Sequence, residues 1–119
     1  MVGLGELESA IMDILWRTEE PAKVREVLDG LTERRLAYTT VMTVLDNLFR
    51  KGWVERELDG KAYRYHPTFS REQAAARALR AVLESCGDPE AALLQFASTA
   101  SDRERELLRT GLRKKTRRK

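Results

Sequence analysis

The stretch Ala37–Val54, "AYTTVMTVLDNLFRKGWV", sets three threonines, Thr39, Thr40 and Thr43, inside a helical pattern. Threonine is a mediocre helix former, because its branched β-carbon restricts χ1. At ~100° per residue, Val41, Val44, Leu45 and Leu48 fall on one side of a helix spanning roughly 39–51. The other side collects Thr39, Thr43, Asp46, Asn47 and Arg50, with Thr40 on its flank. A merely solvated face would more usually carry Glu, Lys and Gln. Short hydroxyls, an amide and a guanidinium suit close approach to base edges instead. Threonine can hydrogen-bond a base or pack its methyl on thymine. Asparagine can pair with adenine, and arginine with guanine or a phosphate. A helix of this kind fits the DNA major groove. Asp46 departs from the pattern: it could accept from a cytosine amine, it is repulsive near phosphates, or it could orient Arg50 at i+4.

Gly52 is placed to end this helix in a left-handed conformation. Upstream, Leu7, Ile11, Ile14 and Leu15 mark a helix over 5–17, with Glu6 and Glu8 at its positive end. Val24, Val27, Leu28 and Leu31 mark a second over about 23–33, after Pro21. Downstream the period changes. In "WVERELDGKAYRYHP", Asp59-Gly60 predicts a type I′ hairpin pairing Leu58 with Lys61, Arg56 with Tyr63, Val54 with Tyr65 and Glu55 with Arg64. One or both of Tyr63 and Tyr65 belong to the core. Trp16 and Trp53 are expected as core aromatics where helix meets hairpin. Three helices and a hairpin describe a winged helix-turn-helix domain over residues 1–67.

Three more helices are predicted beyond it. Ser70 and Gln73 form a capping box ahead of the stripe Ala75, Leu79, Val82, Leu83 and Cys86. Asp88-Pro89 opens a short helix holding Leu93, Leu94 and Phe96. Ser101 and Glu104 form another box before Leu107, Leu108 and Leu112. So short a segment hardly closes its own core. Residues 70–112 therefore read as a helical dimerisation region, with Leu79, Val82, Leu83, Leu93, Phe96, Leu108 and Leu112 as its interface. The basic tail 113–119, "RKKTRRK", reads as a solvated, disordered end. The fold class is mainly α with a small β-hairpin wing.

The composition narrows function. One cysteine, Cys86, and one histidine, His66, in 119 residues cannot build a histidine-based metal site or catalytic triad within one chain. No acid, base and nucleophile constellation is visible, so no catalytic residue, metal or cofactor is expected. No apolar run reaches the ~20 residues of a membrane span, and the N-terminus lacks a signal-peptide pattern. A cytoplasmic location without membrane insertion follows by default. The net charge of +3 is unevenly spread. Residues 1–33 hold three basic and eight acidic side chains, whereas 34–67 hold seven basic and four acidic. The second segment is the better polyanion contact. Arg50, Lys51, Lys61 and Arg64 are its expected phosphate contacts. Cys86 lies on an apolar stripe and reads as a buried small hydrophobe. His66 reads as a packing residue at the wing's end.

"LGELESAIMDILW", "AYTTVMTVLDNLFRKGWV" and "GKAYRYHP" together resemble the BlaI/MecI family of penicillinase repressors, over nearly the whole chain. The resemblance implies a homodimeric winged-helix repressor on a palindromic double-stranded DNA operator with TACA/TGTA-type half-sites, controlling β-lactamase or related genes. It assigns Tyr38, Thr39, Thr40 and Thr43 to the DNA-contacting start of the third helix; Asn47 joins them from the helix wheel. It also implies relief of repression by cleavage in the second C-terminal helix, triggered by a BlaR-type membrane sensor protease. Gln95-Phe96 occupies the corresponding place. A copper-sensing branch of the family uses a cysteine cluster, which lone Cys86 excludes. The competing reading is a winged-helix protein-interaction module that never touches DNA. Such modules usually carry apolar residues where this chain has threonines.

Overall fold

The computed structural model describes residues 3–117, with side chains to 114. Its elements run α1 (Glu6–Arg17), β1 (Ala22–Lys23), α2 (Val24–Gly30), α3 (Tyr38–Arg50), β2 (Val54–Asp59), β3 (Ala62–Pro67), α4 (Arg71–Ser85), α5 (Pro89–Ser98) and α6 (Asp102–Arg117). The chain divides inside α4, between Ala78 and Leu79.

The first unit is built around the inner face of α3. Val41, Leu45 and Leu48 are fully buried, together with Ile11 and Met12 of α1 and Val27 of α2. Val44 packs against this core from its edge. Helix α2 is shorter than the apolar spacing suggests. Gly30 ends it, and Leu31 turns out of helical geometry while keeping its side chain in the core at 7% exposure. At the far end of α3, Gly52 takes φ +84°. Its N–H donates to the Phe49 carbonyl at 3.1 Å, and that of Trp53 to the Leu48 carbonyl at 2.9 Å. This Schellman arrangement satisfies the last carbonyls of α3 and turns the chain into the wing.

The wing hairpin forms, but its turn differs from the expected one. Asp59 pairs with Ala62, Leu58 with Tyr63, Glu57 with Arg64 and Arg56 with Tyr65. The two loop residues are therefore Gly60 and Lys61. Gly60 has φ +67° and Lys61 has no positive φ, the pattern of a type II′ turn. A type I′ turn would have forced Asp59 to positive φ. Asp59 stays in the strand instead, where its carboxylate accepts from Arg64 Nε at 2.6 Å. The slip is two residues along the partner strand, so every side chain keeps its expected face. A third strand, unexpected from the sequence, completes the sheet in the order β1-β3-β2. It contributes only Ala22 opposite Tyr65 and Lys23 opposite Arg64. Tyr65 is buried and Tyr63 is 40% exposed. Trp16 and Trp53 are half-buried against the core.

The start of α4 belongs to the winged-helix unit, which therefore extends past Pro67. The Trp16 Nε1–H donates to the Phe69 carbonyl at 2.9 Å, Arg71 pairs with Asp13 at 2.9 Å, and Ala74 is buried. The expected stripe begins at Ala75, but the core takes Ala74.

The second unit holds the end of α4 with α5 and α6, and all three helices have well-defined starts. Ser70 with Gln73, and Ser101 with Glu104, form reciprocal capping boxes at 2.8–3.1 Å. The Asp88 carboxylate caps α5 through Ala91 N–H at 3.1 Å. None of residues 79–114 is buried. Cys86, expected in a core, is exposed in the single chain. Residues 113–117 of the basic tail, expected to be disordered, continue α6 to Arg117, and the last two residues lie outside the described part. No helix among the described residues is long and apolar enough to cross a membrane.

Glu8 ties α1 to the end of α3. Its carboxylate accepts from the Gly5 N–H at 2.9 Å and from Lys51 Nζ at 2.8 and 3.0 Å. The Lys51 hydrogen bond holds the Glu8 carboxyl below the ordinary glutamate value, against the opposing effect of burial. A carboxylate with a depressed folded-state pKa stabilises the fold above its unfolded value, ~4.3, and loses that contribution as pH falls through the folded value. Glu8→Gln keeps an acceptor for Gly5 but loses the charge. At pH 7 the variant should be less stable by up to about 1 kcal/mol, and the difference should vanish at acid pH below the folded value. Urea unfolding at the two pH values checks this.

Candidate nucleic-acid interface

The core fixes which face of α3 is presented outward. Burial of Val41, Leu45 and Leu48 leaves Thr39, Thr40, Thr43, Asn47 and Arg50 exposed along the opposite side. Tyr38, at the first turn, is 39% exposed, and Arg25 of α2 lies over its ring at 5.4 Å. Of the side chains assigned to DNA on this helix, Thr39, Thr43, Asn47 and Arg50 share one exposed face with Thr40 on its flank, whereas Tyr38 lies off that face, beside the wing. Met42 also lies outside the core, at 42% exposure.

The wing stands beside this surface. A cleft of about 520 Å³ separates the two, bordered by Tyr38, Met42, Thr43 and Asp46 of α3 and by Arg56, Lys61, Ala62, Tyr63 and Tyr65 of the wing. Lys61 is exposed at the turn and makes no ion pair among the described residues. The other expected phosphate contacts differ in their commitments. Arg50 is 74% exposed while paired with Asp46 at 2.9 Å. Lys51 is held by Glu8. Arg64 is tied on the opposite face of β3 from Tyr63, to Asp59 at 2.6 Å, the Pro21 carbonyl at 3.2 Å and Glu26 at 3.5 Å. The Arg64 guanidinium in turn holds the Asp59 carboxyl below the ordinary aspartate value.

One group at this surface was not legible in the sequence. Arg56 of β2 has its guanidinium 4.0 Å from the Phe49 ring centroid and 4.2 Å from that of Tyr63. Its Nη1 also donates to Asp46 Oδ1 at 3.1 Å. Phe49 is on α3 and Tyr63 on β3, so the sandwich closes the helix against the wing. Helix and strand periodicity give the face of each residue separately. They do not show that faces of two elements meet on one side chain.

The sequence relationships match this geometry. The penicillinase repressor family model matches residues 4–114. The transcriptional regulator BlaI of Mycobacterium tuberculosis (strain CDC 1551 / Oshkosh) is 42% identical over 113 residues, covering 92% of this chain and 82% of its own length. Among solved structures, the DNA-binding domain of the repressor BlaI is similar with a TM-score of 0.52 and 21% identity, over 58% of this chain and 84% of that one. A mutant of Staphylococcus aureus MepR bound to an oligodeoxyribonucleotide is similar with a TM-score of 0.51 and 15% identity, over 95% of this chain and 78% of its own. At those identities the two structures bear on the fold, and both are winged-helix proteins of the kind derived above.

Proposed function

The chain belongs to the penicillinase repressor family of DNA-binding transcriptional repressors, and we propose that it acts as a homodimer on a palindromic operator. The observation that carries this reading is the exposed face Thr39, Thr40, Thr43 and Asn47 on a helix whose other face is locked in the core. Helix α3 enters the major groove with its N-terminal half foremost, starting at Tyr38. The half-sites are of TACA/TGTA type, and the controlled genes encode a β-lactamase or related proteins. Arg50 and Lys61 are the phosphate contacts that the geometry favours. Lys51 and Arg64 would first have to leave existing ion pairs.

Selection from random duplex pools at fixed salt tests the reading; if no palindrome is enriched, it fails. Thr43→Ala should narrow the gap between specific and random DNA. Lys61→Ala should weaken both alike and lower the salt slope by about 0.9.

Dimerisation through residues 79–112 is supported by what the second unit leaves open. Leu79, Val82, Leu93, Phe96, Leu108 and Leu112 are each more than half exposed, and Leu83 is half-buried. Full burial of one such side chain is worth ~1.5–3 kcal/mol, so a second copy covering them would supply the missing core. Sedimentation should find the full chain dimeric and a fragment ending at Ala78 monomeric. A dimeric fragment would place the interface elsewhere.

Derepression would follow from cleavage at Gln95–Phe96 in α5, with a BlaR-type membrane sensor protease as the trigger. Both residues are exposed in the single chain. A cut there severs α6 from the rest and would lower operator affinity by removing bivalency. Incubation with the cognate activated sensor should yield two fragments by mass spectrometry, one ending at Gln95 and one beginning at Phe96. Lost repression with an intact chain would refute it.

A further inference from the structure

The acid on the DNA-facing helix is the least expected residue of the interface. A carboxylate there repels phosphate unless something neutralises it. Asp46 has both oxygens occupied: Oδ2 by Arg50 at 2.9 Å and Oδ1 by Arg56 at 3.1 Å. The two arginines differ sharply in surroundings. The Arg50 side chain is 74% exposed and points along the face offered to DNA, whereas that of Arg56 is 21% exposed. Arg56 is also flattened between the rings of Phe49 and Tyr63. A guanidinium so covered is a poor contact for phosphate but a good brace between two elements, because rings lie over its plane and its charge already faces a carboxylate.

We infer that Asp46 and Arg56 are specificity-determining positioning residues. Arg56 clamps the wing to the recognition helix through Asp46, Phe49 and Tyr63, and Asp46 aims Arg50 at the operator instead of reading a base. The inference rests on the DNA-binding reading. In this arrangement the angle between α3 and the wing is set before DNA arrives. Bases in the groove and phosphates under the wing are then met in one register. With one arginine on each oxygen, Asp46 serves the brace and is not the reader of a cytosine.

The test uses the full-length protein with Asp46→Asn, Arg56→Met and the double variant. Base preferences are read by selection from random duplexes, and affinity by titration at fixed salt. Thermal unfolding of each variant separates loss of fold from loss of positioning, and Arg56→Lys, which keeps the charge but not the planar fork, serves as the second probe. Each single variant should weaken operator binding by about tenfold, and the double variant should be little worse than either. The preferred base at every operator position should stay the same while contrast falls across the whole half-site. Arg56→Lys should behave like Arg56→Met, because the planar stack is lost. Three results would overturn the inference: a changed preference at one base pair in Asp46→Asn, additive losses in the double variant, or full activity of Arg56→Lys. Failure of the wild-type chain to enrich any sequence would instead remove the DNA-binding reading, and the positioning role with it.

Discussion

Burial of Val41, Leu45 and Leu48 against α1 and α2 is the constraint on which this molecule depends. Three residues of one thirteen-residue helix are fully excluded from water. Turning α3 about its axis would expose them, at ~1.5–3 kcal/mol each. The helix is therefore held in one rotation, and so is the row of threonines opposite. The low helix propensity of those threonines is tolerated because packing of the inner face, not propensity, stabilises α3. The Gly52 turn then fixes where the wing begins, and the pairing of β1 with β3 holds the wing to the start of α2.

Charge follows the same economy of placement. Two acids of the recognition helix and the wing are matched with cations inside the protein: Asp46 with Arg50 and Arg56, Asp59 with Arg64 and Lys23. Each pair at an exposed site is worth little for stability. Their effect is to cancel carboxylates that would oppose a polyanion and to leave Lys61 and the outer side of Arg50 facing outward. A modest net charge is thus compatible with a strongly directional surface.

The second unit obeys local rules without obtaining a core. The capping box at Ser101 and the Asp88 cap define where α6 and α5 start. Its leucines and Phe96 remain open to solvent within one chain. Local signals are enough to specify helices, whereas a core needs more apolar surface to face than these residues find in their own chain.

These differences explain what could be read in advance. Local pattern was enough for the helices, their caps, the Gly52 terminus, the existence of the hairpin and the face of α3 that carries Thr39, Thr43 and Asn47, with Thr40 on its flank. All of these follow from periodicity or from chemistry within four or so residues. Packing between elements set the remainder: the Gly60-Lys61 turn, the two-residue β1, the attachment of Phe69, Arg71 and Ala74 to the first unit, and the Arg56 clamp. Each depends on a partner in another element, and so does the engagement of Lys51 by Glu8 and of Arg64 by Pro21 and Glu26. A residue's face is a local property, but what meets that face is settled only when separate elements pack together.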